Sequence, residues 1–265
     1  MPLCSPDPRP APAERPAPPS RARPDRTTVD VAGRPVEVAL RWNPRARRYT
    51  LRLANGRTEP VVTIPKGGSL KAACAFVGRH ADWLAARLDA RPQPTAFADG
   101  ALVPIRGVPH RLAATGTLRG LVRIHPAGEP AEEADDALPR LLVPGAPERF
   151  SPRVADFLRK AARADLEAAV ARHARALGRT PQKIVVRDTT SRWGSCSSLG
   201  VLSFSWRLIL APPLVLDYLA AHEVAHLAEM NHGPRFWAHC TALCPETETA
   251  RAWLKAHGAG LHAYG

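Results

Sequence analysis

The 265-residue sequence contains no run of about 18 apolar residues, so no membrane span is expected. Its first residues hold no apolar stretch of the kind a secretory signal needs, and the expectation is a cytoplasmic protein. No Cys-x-x-Cys occurs. The five cysteines (Cys4, Cys74, Cys196, Cys240, Cys244) are odd in number, which argues against a disulfide framework and fits a reducing compartment. There is no Gly-rich phosphate loop, no run of carboxylates suited to two magnesium ions, and no internal repeat. No compact basic run interleaved with aromatics stands out.

What is present is an ordinary globular balance, 45% hydrophobic and 23% charged, with an unusual formal net charge of +13. That surplus reads either as generic surface arginine or as attraction to a polyanion such as nucleic acid, nucleotides or anionic lipid. Residues 1–26 are rich in Pro, Arg and Ala and read as a disordered tail. Residues 27–145 read as a β-rich subdomain with one helix. Val29 and Val31, then Val36, Val38 and Leu40, alternate about Ala32-Gly33-Arg34 as a hairpin. Asn55-Gly56 signals a turn before the strand Val61–Ile64. A helix runs from the N-cap Ser69 to about Leu88, with Phe76, Val77, Trp83 and Leu84 inward. Short strands fill 101–125, and the acids Glu132, Glu133, Asp135 and Asp136 mark a surface loop.

Residues 146–265 form the remaining segment. A helix opens at Ser151-Pro152 and closes at Gly178. Strands include Lys183–Arg187 and part of Val201–Leu210. A helix beginning at Pro212-Pro213 runs to about Met230-Asn231, a short one carries Phe236 and Trp237, and a last one spans Glu246–His257 with Gly258 as its cap. Cys240 and Cys244 lie one turn apart and read as small core residues.

On the helix beginning at Pro213, His222-Glu223-Val224-Ala225-His226 forms a His-Glu-x-x-His motif. Spacing of i and i+4 puts both imidazoles on one face with Cβ atoms about 6 Å apart, so both reach one zinc ion at roughly 2.0–2.1 Å. Glu223 lies about 100° round the helix, flanking the open position, where a carboxylate can take a proton from bound water. A catalytic zinc site needs a third protein ligand, and His232 is the first candidate, with Glu229, Glu246 and Glu248 behind it. By chance the motif is expected in about one chain of this size in a hundred. The other histidines (His80, His110, His125, His173, His239, His257, His262) have no partner at ligand spacing. Arg192-Trp193-Gly194-Ser195 reads equally as the lining of a cleft and as a tight turn with Trp193 in the core.

Several stretches together carry a resemblance: Ser191–Ser198, Leu202–Leu208, Pro213–Tyr218, the motif itself, and Asn231–Trp237. The Arg-rich strand Arg45–Leu53, Val62–Pro65 and Phe76–Trp83 extend it toward the N-terminus. In these the chain resembles the YgjP-like metallopeptidase family, related to the SprT and WLM zinc peptidases, over about residues 28–260. The resemblance implies an α+β fold with a zincin-like (minigluzincin-type) core and one Zn²⁺ held at His222, His226 and His232. It also implies Glu223 as catalytic acid/base, and it moves Arg192–Ser195 toward a role beside the site.

Three functions remain open on the sequence. The first is an intracellular zinc metallopeptidase acting on peptide or protein, with Tyr218, Arg192 and Arg207 as candidate oxyanion donors and a sheet edge as the substrate's landing place. The second is a phosphohydrolase of nucleoside triphosphates, with Arg192, Arg207 and Arg235 for phosphate. The third is a DNA-associated protease of the SprT kind, for which the +13 charge supplies the docking. No oligomeric state is legible.

Overall fold

The computed structural model describes residues 23–53, 59–90, 93–128 and 138–265. The tail through residue 22, the Asn55-Gly56 turn and the acids at 132–136 lie outside the described residues. The fold is mixed α+β, with three small sheets and six helices among the described residues.

Strands β1 (Arg26–Val31), β2 (Arg34–Trp42), β3 (Thr50–Arg52) and β4 (Val61–Ile64) form a sheet in the order β1-β2-β4-β3. Strands β5 (Leu102–Ile105), β6 (Val108–Ala114), β7 (Arg123–His125) and β8 (Arg140–Val143) form a second in the order β5-β6-β8-β7. The two sheets share one topology: an antiparallel hairpin, then a parallel pair, then an antiparallel pair. Their hairpins turn alike. Ala32 and Gly33 stand at φ 53° and 78°, Arg106 and Gly107 at 52° and 78°. Positive φ at both turn positions is what the right-handed strand twist demands of a two-residue hairpin. The internal repeat that the sequence does not reveal is therefore present as topology. It is marked only by x-Gly-x-Pro in each hairpin, Ala32–Pro35 and Arg106–Pro109.

The helix expected over 69–88 is two, α1 (Leu70–Gly78) and α2 (Ala81–Asp89). Ser69 caps α1 as expected, its Oγ accepting from the Ala72 N–H at 3.1 Å. Val77 and Leu84 face the core, but Trp83 is exposed. This first unit has its own apolar cluster, built on Val31, Val38, Val62, Ile64, Val77 and Leu84.

A 28-residue helix, α3 (Phe150–Leu177), is the spine of the rest. It starts one residue ahead of Ser151, out of a short 3-10 turn, so Ser151 lies inside it. It ends at Gly178 in the left-handed conformation, as expected. Its first half packs on the second sheet through Val154, Leu158 and Ala162. Its second half, through Leu166 and Val170, packs on the segment that carries the motif. That segment holds the third sheet, β9 (Lys183–Arg187), β10 (Gly194–Cys196) and β11 (Val201–Ser205), in the order β10-β11-β9. It also holds helices α4 (Pro213–Ala225), α5 (Pro234–Leu243) and α6 (Thr247–Leu261). Helix α4 is buried on most of its circumference, between α3, α5, α6 and β10. A helix apolar all round belongs in a core. Two boundaries differ from the sequence reading. Helix α4 stops at Ala225 instead of near Met230, and α6 continues through Gly258 to Leu261.

Residue Arg207 holds this segment together. Its guanidinium, 11% exposed, donates to Asp188 at 2.9 Å and to the carbonyls of Leu261 and Tyr264, tying the end of α6 to the sheet. Burial works against ionisation of Asp188, but the hydrogen bond and charge of Arg207 prevail and hold its carboxyl below the usual range. Burial, with Arg207, lowers His262 as well. Both shifts have one sign. The unfolded chain takes up protons here that the native one refuses, so the stability these two groups contribute is full above about pH 6.5 and is lost with acid, first through His262 and then through Asp188. The difference in urea-unfolding midpoint between wild type and Arg207→Met is accordingly expected to be largest at neutral pH and to shrink toward pH 3.5. A difference that does not change with pH would place the acid sensitivity elsewhere.

Candidate metal centre

Residues Tyr218, His222 and His226 follow one another at i+4 along one face of α4. Hydrogen bonds fix both imidazoles. The His226 Nδ1–H donates to the Glu229 carbonyl at 3.1 Å, which leaves its Nε2 as a lone pair. The His222 Nδ1 lies 3.3 Å from the Tyr218 hydroxyl. Burial pushes the pKa of His222 down to about 4, helped by the neighbouring His226 and His232, and lowers His226, which is 9% exposed. Both rings are neutral near pH 7, the form a metal requires.

The chain then reverses at once. The N–H groups of Ala228 and Glu229 both return to the Ala225 carbonyl, at 3.0 Å. This is earlier than the helix end near Met230-Asn231 that the sequence suggests. His232 comes back over the helix end, its Nε2 3.1 Å from that of His222. Gly233 and Pro234 then start α5. Phe236, fully buried on α5, floors the site: its ring centroid lies 4.4–4.8 Å from those of all three imidazoles.

The ligand nitrogens of His222, His226 and His232 fall within 4.8 Å of one another, and among the described residues this is the one group of that kind. Two Nε2 atoms facing each other at 3.1 Å share at most one proton. A cation between the two rings satisfies both lone pairs, so the donor set fits a borderline-soft divalent metal. The fallback carboxylates lie outside this group. Glu229 pairs with Arg235 at 3.3 Å, Glu248 pairs with Arg251 at 2.6 Å, and Glu246 stands at the N-terminus of α6.

Glu223 is 4% exposed on the flank of the histidine face. Burial raises its carboxyl to about 8, opposed by the charge of Arg192. It lies against β10, where Gly194 comes so near that a Cβ there would sit 2.8 Å from Glu223 Cγ. Cys196, two residues on and on the same strand face, also feels the Glu223 charge. Ser195 therefore turns to the opposite face, paired with Ser203. Trp193 is a packing residue: it stacks on His262 with centroids 4.6 Å apart and covers Gly258. Arg192 is exposed and in electrostatic reach of Glu223. Arg207 stands apart in its clasp on Asp188.

Three supports went unread in the sequence. One is the Phe236 floor, four residues beyond His232. Another is the Glu229 carbonyl. The third is a clasp in which Asp217 accepts from His173 at 2.8 Å and pairs with Arg172, fixing α4 to α3 one residue before Tyr218. Of the other histidines, His80 lies on the Phe76 carbonyl, His110 on the Val108 carbonyl and His257 against Trp253. Cys240 and Cys244 are buried free thiols, as expected.

A three-imidazole cluster with a buried acid beside it is the equipment of a metal-dependent hydrolase. The sequence model of the YgjP-like metallopeptidase domain matches residues 47–257, and the chain belongs to that family. It is thereby a metal-dependent hydrolase, of a family whose chemistry implies a divalent metal. No curated protein matches the chain. Among solved structures it is similar to the crystal structure of the metallopeptidase zymogen abylysin of Pyrococcus abyssi. Identity there is 19% over 34% of this chain and 93% of that one, with a TM-score of 0.31, too loose a likeness to bear on the fold. No helix among the described residues is long and apolar enough to cross a membrane.

Proposed function

We propose that the protein is an intracellular zinc metallopeptidase, built on a zincin-like, minigluzincin-type core, with one Zn²⁺ at His222, His226 and His232 and Glu223 as general base. The observation that carries this is the meeting of three imidazoles within 4.8 Å of one another, with the buried Glu223 carboxyl beside them against the edge strand β10. A zinc ion held there supplies Lewis-acid polarisation of the scissile carbonyl and acidifies water. Glu223 accepts the proton of the attacking water and returns it to the leaving nitrogen. Arg192 favours the ionised carboxylate and offers positive charge where the oxyanion develops. The Tyr218 hydroxyl, on His222 Nδ1, orients a ligand. The four described cysteines are free, which supports a reducing setting.

The peptide has a place to lie. β10 is an edge strand, and its ladder bonds run from the odd residues: the Trp193 carbonyl accepts from the Ser205 N–H and the Ser197 N–H donates to the Val201 carbonyl. By alternation the N–H and C=O of Gly194 and Cys196 point away from β11, toward the open edge beside Glu223. An extended peptide adds there as a strand. The phosphohydrolase reading is weaker, because two of its three arginines, Arg207 and Arg235, are bound to carboxylates. Zinc-loaded wild type and Glu223→Gln, incubated with a peptide library and with nucleoside triphosphates, decide between them. Peptide cleavage by wild type alone supports the peptidase. Phosphate release by wild type alone replaces it with the phosphohydrolase.

One observation favours a nucleic-acid partner in addition. Arg41, Arg45, Arg47, Arg48 and Arg52 are all exposed, and no acid among the described residues pairs with them. The interleaved aromatics, which the sequence reading passed over, are occupied: the Trp42 N–H donates to the Pro24 carbonyl, and the Tyr49 hydroxyl accepts from the Ser69 N–H. The patch is one of charge without stacking. DNA affinity is therefore expected to fall steeply with salt, about 0.9 in log–log slope per phosphate contacted. Absence of binding at low salt would remove this partner.

A further inference from the structure

We propose that Gly194 is a positioning residue for Glu223: it leaves the gap in β10 that the glutamate carboxyl occupies, and so sets the distance between that carboxyl and the open strand edge. The proposal rests on the peptidase reading only for its kinetic half.

A Cβ on Gly194 would meet Glu223 Cγ at 2.8 Å and Cδ at 2.9 Å, closer than real Cβ atoms come, and Oε1 is nearer still. The backbone does not require glycine here, since Gly194 is absent from the positive-φ positions and sits in regular antiparallel register opposite Phe204. Glycine inside a strand weakens it, and where no turn needs it the usual reason is close approach of another group. That group is the Glu223 side chain. It cannot withdraw, because it is 4% exposed on a helix pinned by the Asp217 clasp and packed on β10. The same residue turns its N–H and C=O to the open edge, so the carboxyl lies against the backbone that a bound peptide would face. A Cβ would push the carboxyl off that line, and a misplacement of about 1 Å costs on the order of a hundredfold in rate.

Two cycles on the full chain test this. In the first, metal-free Gly194→Ala, Glu223→Ala and the double variant are unfolded in urea. Gly194→Ala is expected to lower the midpoint beside Glu223, with at least about half of that loss disappearing beside Ala. Equal losses in both backgrounds overturn the proposal. Should Gly194→Ala not fold, recovery of folding in the double variant supports it and failure in both overturns it. In the second cycle, zinc-loaded Gly194→Ala is expected to lose about ten- to a hundredfold in kcat with KM and zinc affinity within about twofold. Glu223→Asp, whose shorter side chain makes room, is expected to cost less in that background than alone. A rate loss that tracks lost zinc, or additive losses, overturns it. If the wild type cleaves no peptide, the peptidase reading fails while the stability cycle still decides the contact.

Discussion

Glu223→Gln is expected to lower kcat by at least about 10²–10⁴-fold, the usual share of a positioned general base, while zinc affinity stays within about threefold. The amide matches the carboxylate in size, so it fills the same gap against Gly194, but it accepts no proton. The three imidazoles are untouched, so the variant separates proton transfer from metal binding. It also has a stability signature. The native site keeps this carboxyl 4% exposed and burial raises it to about 8, so in the metal-free protein at neutral pH folding requires a proton uptake that glutamine does not. Burying a group that ionises costs more than burying a neutral one of the same shape. The metal-free variant is accordingly expected to unfold at higher urea than wild type. Lower stability, or retained turnover, would show that Glu223 is held for packing.

His222→Ala is the second large effect. Structural zinc sites bind with about 10–16 kcal/mol over four ligands, so one ligand stands for roughly 3–4 kcal/mol, or about 10²–10³ in affinity. His222 is central: its Nε2 faces His232, its Nδ1 faces Tyr218, and its ring packs on Phe236. Its removal is expected to cost metal affinity and apo stability together. His232→Ala, on the exposed return beyond the helix, is expected to cost the affinity with little change in apo stability. Competition titration with a chromophoric chelator, beside urea unfolding, reads both. Equal apo stabilities for the two variants would contradict the view that His222 is also part of the core.

The motif, its helix and the third histidine were legible because their spacing is local chemistry: i and i+4 on one face, then a return within six residues. Helix starts marked by Ser69 and Pro213 and the stop at Gly178 read correctly for the same reason. Less legible was whatever depends on tertiary neighbours. The break at Arg79-His80 follows Gly78, which the continuing apolar pattern reads as helix interior, and Gly258 looks like a cap but is a notch for Trp193. The end of α4 at Ala225 is set by the Glu229 carbonyl and the returning His232, which no periodicity encodes. Arg207 looked like a substrate donor by its place near the motif, but Asp188 and two carbonyls far along the chain hold it. Gly194 could be singled out, but its reason could not, because the group that fills its missing side chain lies 29 residues on.

The most direct test strips the protein with a chelator, restores zinc in fractional equivalents and follows cleavage of a peptide found in the library screen. The account predicts no cleavage by stripped protein, recovery linear to one zinc per chain, and no recovery in His222→Ala at the same zinc. Cleavage that survives stripping, or full occupancy at one equivalent without recovery, would contradict it.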